Sequence, residues 1–191
     1  MAAGSLPLRP TVLGDLVATS RVRQAALVAG FAATIALAAQ ISIPLPVGPV
    51  PLTAQTLAVL LGGAALGPGR ALSGAGLYLG LGVVGVPWFA VTGGATSGYL
   101  VGFVLAAGLV GAGARAGHDR RVGSTMGLMV VGNLVIYALG VAGLMVVTGM
   151  AMPAALASGV VPFLIGDAIK IGIAAALLPT AWRLVDDAER A

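Results

Sequence analysis

Two ionisable residues stand inside an apolar run, and the clearest chemistry in the chain is theirs. In VVPFLIGDAIKIGIAAALL, Asp167 and Lys170 lie three residues apart, on one face of a helix. An ionisable group within a membrane costs about 2.5–3.5 kcal/mol on insertion scales, so it is read first as part of a site, with a partner nearby. A carboxylate accepts hydrogen bonds and an ammonium donates them, so the pair suits a small ligand that carries both donors and acceptors. The plainer alternative is that the two charges only neutralise each other. Lys170 is the only lysine, whereas nine arginines fill the other basic positions. A compact ammonium and a planar guanidinium fork are not interchangeable in a small polar pocket.

If this last helix enters from the outer side near Val160, Asp167 lies roughly 10 Å deep at about 1.5 Å per residue, within reach of an external ligand. Near the same level stand Gln55 and Tyr99, at the outer starts of two other apolar runs. Asn133 and Tyr137 are there too, four residues apart on one helix face. Asn133 and Tyr137 also suit plain helix-to-helix hydrogen bonds. Trp88, Phe89 and Tyr99 flank an outer loop, where they act either as interfacial belt residues or as stacking faces for a ligand. The Gly-rich segment 92–98 lacks a GxxxxGK[ST] pattern, as does the rest of the chain, so any nucleotide-driven step needs another protein. With no Cys, and with the single His118 beside Arg120 and Arg121 in a polar loop, neither thiolate nor His-based metal sites are supported.

The elements that must hold these groups follow from composition. Of 191 residues, 59% are hydrophobic and 8% charged, and mean hydropathy is +1.06. Ten Lys/Arg and six Asp/Glu cannot cover a water-soluble domain of this size, so the expected solvent is lipid. The pI of about 10.4 does not point to nucleic acid, because the arginines are scattered and never form a basic stripe with aromatics. Apolar runs at about 24–43, 54–67, 71–86, 99–114, 124–148 and 160–182 predict an all-α polytopic membrane protein, six transmembrane helices in one compact bundle. Arg9, Arg21, Arg23, Arg70, Arg115, Arg120, Arg121, Arg183 and Arg190 all fall on the same set of connections, and the alternate loops 44–53, 87–98 and 149–159 contain no Lys or Arg. The positive-inside rule then puts both termini in the cytoplasm. Residues 1–23 read as a cytoplasmic or interfacial segment, 24–183 as the membrane domain and 184–191 as a solvated cytoplasmic tail. A cleaved signal peptide is the alternative for the first run. There, Ala25, Ala29 and Ala33 repeat every four residues, which suits either docking of a partner helix or packing within the bundle.

Several stretches together resemble the BioY family, the biotin-specific substrate-binding components (S components) of energy-coupling-factor (ECF) transporters. They are PLPVGPVPLTAQTL at 44–57, LGGAALGPGRALSGAGLYLGLG with VGVPWF at 61–89, GYLVGF at 98–103 and GDAIK at 166–170. The resemblance implies a six-helix bundle in the plasma membrane of a bacterium that captures biotin from outside. It further implies docking on a transmembrane coupling subunit bound to two ATPases. The family's D-x-x-K falls on Asp167 and Lys170, its loop glutamine on Gln55, and its small-residue docking stripe on Ala29 and Ala33. Where the family reads close to G-P-T-G-G-Y, this chain has Gly94-Ala95-Thr96-Ser97-Gly98-Tyr99. The expected ligand-binding set is Asp167, Lys170, Asn133, Gln55, Tyr99, Tyr137, Trp88 and Thr96, and the docking set is Ala25, Ala29 and Ala33. Biotin is expected as transported ligand, with no resident cofactor. A ureido ring has two N–H donors and a carbonyl acceptor, which a carboxylate and an ammonium or amide complement, while aromatic faces suit the apolar remainder. Against this stand a secondary transporter, with Asp167 carrying a proton, and an intramembrane enzyme, for which two ionisable groups leave little room.

Overall fold

A computed structural model describes residues 11–89 and 94–190 of the chain. Arg9, Thr92 and the first ten residues of the expected N-terminal segment lie outside the described residues. Within the described residues seven α-helices follow one another: α1 (Arg21–Gln40), α2 (Gln55–Leu66), α3 (Pro68–Val83), α4 (Ser97–Arg115), α5 (Val122–Thr148), α6 (Met152–Gly159) and α7 (Leu164–Arg190). A two-stranded antiparallel hairpin, β1 (Ser42–Ile43) with β2 (Leu52–Thr53), joins α1 to α2. Short 3-10 turns precede α1 (Leu13–Leu16) and α7 (Val161–Phe163).

Among the described residues, four segments are long and apolar enough to cross a membrane: α1, α4, α5 and the unit Met152–Arg190. At about 1.5 Å per residue, α2 spans only about 18 Å and α3 about 24 Å, short of a hydrocarbon core of roughly 30 Å. The hairpin directly precedes α2. Large apolar side chains such as Val22, Leu134, Val146 and Ile165 point outward and are exposed, as expected where lipid and not water surrounds the bundle.

Inside, α4 is the central helix, packed against α2, α3 and α5. Its contact with α5 depends on glycine: a Cβ on Gly98 would lie 2.3 Å from the Leu139 carbonyl oxygen, and one on Gly143 2.6 Å from the Gly98 Cα. The two backbones touch there, which only the smallest residue permits. At the other end, Gly67 with φ +78° turns α2 into α3, and Pro68 takes the first position of α3, where its missing N–H costs nothing.

Three features go beyond the expectations from sequence. The loop at 149–159 contains α6, whose Ala155, Ser158 and Gly159 are buried. The last run therefore breaks before α7, which begins at Leu164 and continues past Arg183 to Arg190. The described part of the N-terminal segment is docked: Val12 is fully buried, and Asp15 forms an ion pair with Arg70 at the start of α3.

Candidate ligand site at the end opposite the arginines

The starts of α2, α4 and α7 and the ends of α1 and α3 converge on a cavity of about 430 Å³. Its size falls within the roughly 300–1,000 Å³ of small-molecule sites. Seven of the eight expected ligand residues line it: Asp167, Lys170, Gln55, Tyr99, Tyr137, Trp88 and Thr96. Its floor is a hydrogen-bonded cluster around Asp167, a buried residue in the first turn of α7, where the helix dipole favours a negative charge. Asp167 Oδ1 accepts from Lys170 Nζ at 2.8 Å and from the Thr56 hydroxyl at 3.1 Å. Oδ2 accepts from the Tyr137 hydroxyl.

Lys170 Nζ donates in three directions, to Asp167, to Thr56 Oγ1 at 2.7 Å and to the Thr53 carbonyl at 2.8 Å. An ammonium has three protons, so a ligand acceptor must displace one of these partners to reach it. Asp167 is less committed. A carboxylate offers about four lone-pair directions, and three are taken, so it can still accept one N–H from a ligand.

Gln55, buried at the start of α2, donates from Nε2 to the Tyr78 hydroxyl at 2.7 Å and accepts from the Thr53 hydroxyl at 3.2 Å. Tyr78 thereby keeps its own proton for the cavity. The Tyr99 hydroxyl donates to the Gly159 carbonyl at 2.6 Å, which ties α4 to α6, and the ring lies edge-on to Phe163 with centroids 6.3 Å apart. Room for that ring comes from Gly140, where a Cβ would fall 2.3 Å from Tyr99 Cε1. Trp88 stands at the mouth, 66% exposed, in a left-handed backbone conformation with φ 74°.

The structure does not bring Asn133 to this cavity. It is buried one turn below Tyr137 on α5, and its Nδ2 donates to the Met129 carbonyl of its own helix. Thr56 and Tyr78, absent from the expected set, belong to the site. Thr56 follows Gln55 in the stretch PLPVGPVPLTAQTL at 44–57, and that was the available signal. Tyr78 lies in the Gly-spaced stretch at 61–82, where a phenol in an apolar run was the signal. On α1, Ala25, Ala29 and Ala33 are exposed while Phe31, Ala32, Ile35 and Ala36 are buried, so the stripe faces away from the bundle. The end of α1 is nonetheless a cavity wall, through Ala39 and Gln40.

Fold and site together define a helical membrane protein with a polar cluster at the floor of a cavity of small-molecule size. The sequence matches the BioY family over residues 11–187, and the chain belongs to that family. It is 36% identical over 161 residues to a probable biotin transporter of Pyrococcus horikoshii, spanning 81% of this chain and 93% of that one. Against the biotin transporter of Thermotoga maritima it is 38% identical over 152 residues, 76% and 87% of the two chains. The fold is similar to the crystal structure of the S-component for biotin from an ECF-type ABC transporter, with TM-score 0.73 at 21% identity over 85% of this chain and 92% of that one.

Proposed function

We propose that this chain captures biotin in the 430 Å³ cavity and serves as the substrate-specific component of an ECF-type transporter, not as an enzyme. The observation that carries this reading is the Asp167 cluster opening into an aromatic-walled cavity in a chain of the BioY family. The free acceptor direction on Asp167 takes a ureido N–H, and Lys170 releases one of its three acceptors to donate to the ureido carbonyl. Tyr78, Tyr99 and Trp88 cover the apolar ring and tail, and Thr96 at the rim donates to the tail carboxylate.

The chain crosses the plasma membrane of a bacterium six times, with α2 and α3 completed by the loops that follow or precede them. Arg70, Arg115, Arg120 and Arg121 mark the cytoplasmic end, so both termini lie inside and the cavity faces out. The membrane domain is 24–183, flanked by the segment 1–23 and the tail 184–191. The exposed Ala25, Ala29 and Ala33 stripe on α1 receives a helix of the coupling subunit, which two ATPases drive.

Equilibrium binding of labelled biotin to the purified chain tests the central statement. Saturable binding below micromolar concentration is expected, and none at micromolar concentration ends the reading. In liposomes, the chain alone under a proton gradient should accumulate no biotin; accumulation there would reassign it as a proton-driven carrier.

A further inference from the structure

Beneath the ligand cavity lies a second, small space of about 10 Å³, mostly apolar in lining, with Met129 and Leu60 among its walls and three polar side chains, Asn133, Thr56 and Lys170, beside it. Thr56 and Lys170 line both spaces and form the partition between them. Asn133 is 4% exposed, and among the described residues its Oδ1 has no hydrogen-bond partner. A space of roughly 10–15 Å³ holds one water where two to four polar groups face it, as Asn133, Thr56 and Lys170 do here. The Lys170 ammonium in the wall excludes a cation.

We propose that this chamber holds one water, bonded to Asn133 Oδ1 and Thr56 Oγ1, and that Asn133 is a positioning residue for the Asp167 cluster. Thr56 Oγ1 accepts from Lys170 and donates to Asp167 Oδ1, which leaves one lone pair for a water proton. The second water proton goes to Asn133 Oδ1. A donor behind Thr56 polarises its hydroxyl and strengthens the bond it makes to Asp167. Helix α5 thus supports Asp167 twice, directly through Tyr137 and one turn lower through Asn133, the water and Thr56. The water site stands on geometry alone, and its bearing on affinity rests on the biotin reading.

The titratable groups around position 133 are Lys170 and Asp167 on α7 and Tyr137 on α5; α2 carries no charged residue, and α4 only Arg115 at its far end. An aspartate at 133 will, once ionised, draw the water, Thr56 and Lys170 away from Asp167. A crystal structure without biotin, at a resolution that shows ordered water, should contain density bonded to Asn133 Oδ1; a dry chamber overturns the proposal whether or not biotin binds. Biotin affinity of Asn133→Asp relative to the native chain should fall about tenfold from acidic to alkaline pH, while Asn133→Leu shows a loss independent of pH. A pH-independent ratio for Asn133→Asp overturns the positioning role. Should Asn133→Asp fail to fold, Asn133→Ser, which leaves space for the water, should stay within about threefold of native affinity while Asn133→Leu loses about tenfold, and equal losses overturn the role. A native chain that binds no biotin at all defeats the functional reading and leaves the water to the crystal.

Discussion

The molecule holds two buried carboxylates, one at each end, built from similar parts to opposite effect. At the cavity end, Asp167 accepts from the hydroxyl of Tyr137 and pairs with Lys170 at 2.8 Å. At the arginine end, Asp119 in the α4–α5 turn accepts from Trp182 Nε1 at 2.7 Å, and the Arg120 guanidinium lies 4.1 Å from the Trp182 ring centroid. Both join the region before or within α5 to α7, and both use an aromatic donor. What differs is the space beside them. Asp167 opens on 430 Å³ and keeps an acceptor direction for a ligand, whereas Asp119 is wholly buried with Oδ1 unpartnered among the described residues. Donor and acceptor chemistry is therefore not enough to make a site. Packing left room at one end and sealed the other, so one carboxylate can bind a ligand and the other clamps the α4–α5 turn to α7.

The sharpest way to break this comparison is to neutralise each carboxylate in turn. Asp167→Asn leaves Lys170 short of a charged partner and should weaken biotin binding by about 2–5 kcal/mol, roughly 30-fold or more. Asp119→Asn should leave the affinity within about threefold, since ligand and clamp lie at opposite ends and share no partner. Isothermal titration on both variants decides it, and equal losses would mean that the ends are coupled. Next in size is Lys170→Arg. It keeps the charge but cannot place three short bonds to Thr53, Thr56 and Asp167, so affinity should drop about tenfold or more. Near-native binding would reduce Lys170 to a counter-ion.

A smaller effect is expected at the clamp. Trp182→Phe removes the indole N–H that donates to Asp119 Oδ2, and thermal unfolding in detergent should report a loss of about 1–3 kcal/mol with biotin affinity unchanged. The smallest effects concern pH. Burial pushes the Asp119 carboxyl above the ordinary range, against the bond from Trp182 and the charges of Arg120 and His118. The folded state then holds its proton more tightly than the unfolded chain, so this residue's contribution falls as pH rises from the ordinary carboxylate pKa through the raised one. Asp15 has the opposite sign. Partial burial raises its pKa, but the Arg70 guanidinium, the Thr11 hydroxyl and backbone N–H groups outweigh this and hold it below the ordinary value. Its stabilisation is present above the ordinary pKa and is lost as pH falls through the depressed one. Unfolding profiles of Asp119→Asn and Asp15→Asn should thus differ from native in opposite directions across the acidic range, and parallel profiles would contradict the assigned environments.

The apolar runs were legible because lipid-facing helices need side chains of one kind on every turn, and their approximate limits correspond to α1 to α5 and α7. Asp167 and Lys170 were legible for the complementary reason: a charge inside such a run is too costly to be incidental. Less could be read of neutral groups. Thr56 and Tyr78 carry no charge to mark them among apolar neighbours, and α6 is too short and too like a loop in composition to announce itself. Asn133 and Tyr137 share a face of α5, as four-residue spacing requires, but four residues also means about 6 Å along the axis and about 40° of rotation. That step carries Asn133 below Lys170 and out of the cavity.

From the sequence alone came the solvent, the helical class, the alternation of charged and uncharged connections, and the one ion pair that a membrane segment would not otherwise tolerate. Those are properties of short stretches, set by transfer energies and helical period. Tertiary structure decided which polar groups face empty space. It sealed Asp119, which the sequence presents as one more loop charge, under Trp182, and it left Asp167 at the floor of a cavity. Volume is a property of how distant helices meet, and α4 and α5 meet here through Gly98 and Gly143, so the local pattern marked Asp167 as a charge in an apolar run but not the empty space beside it.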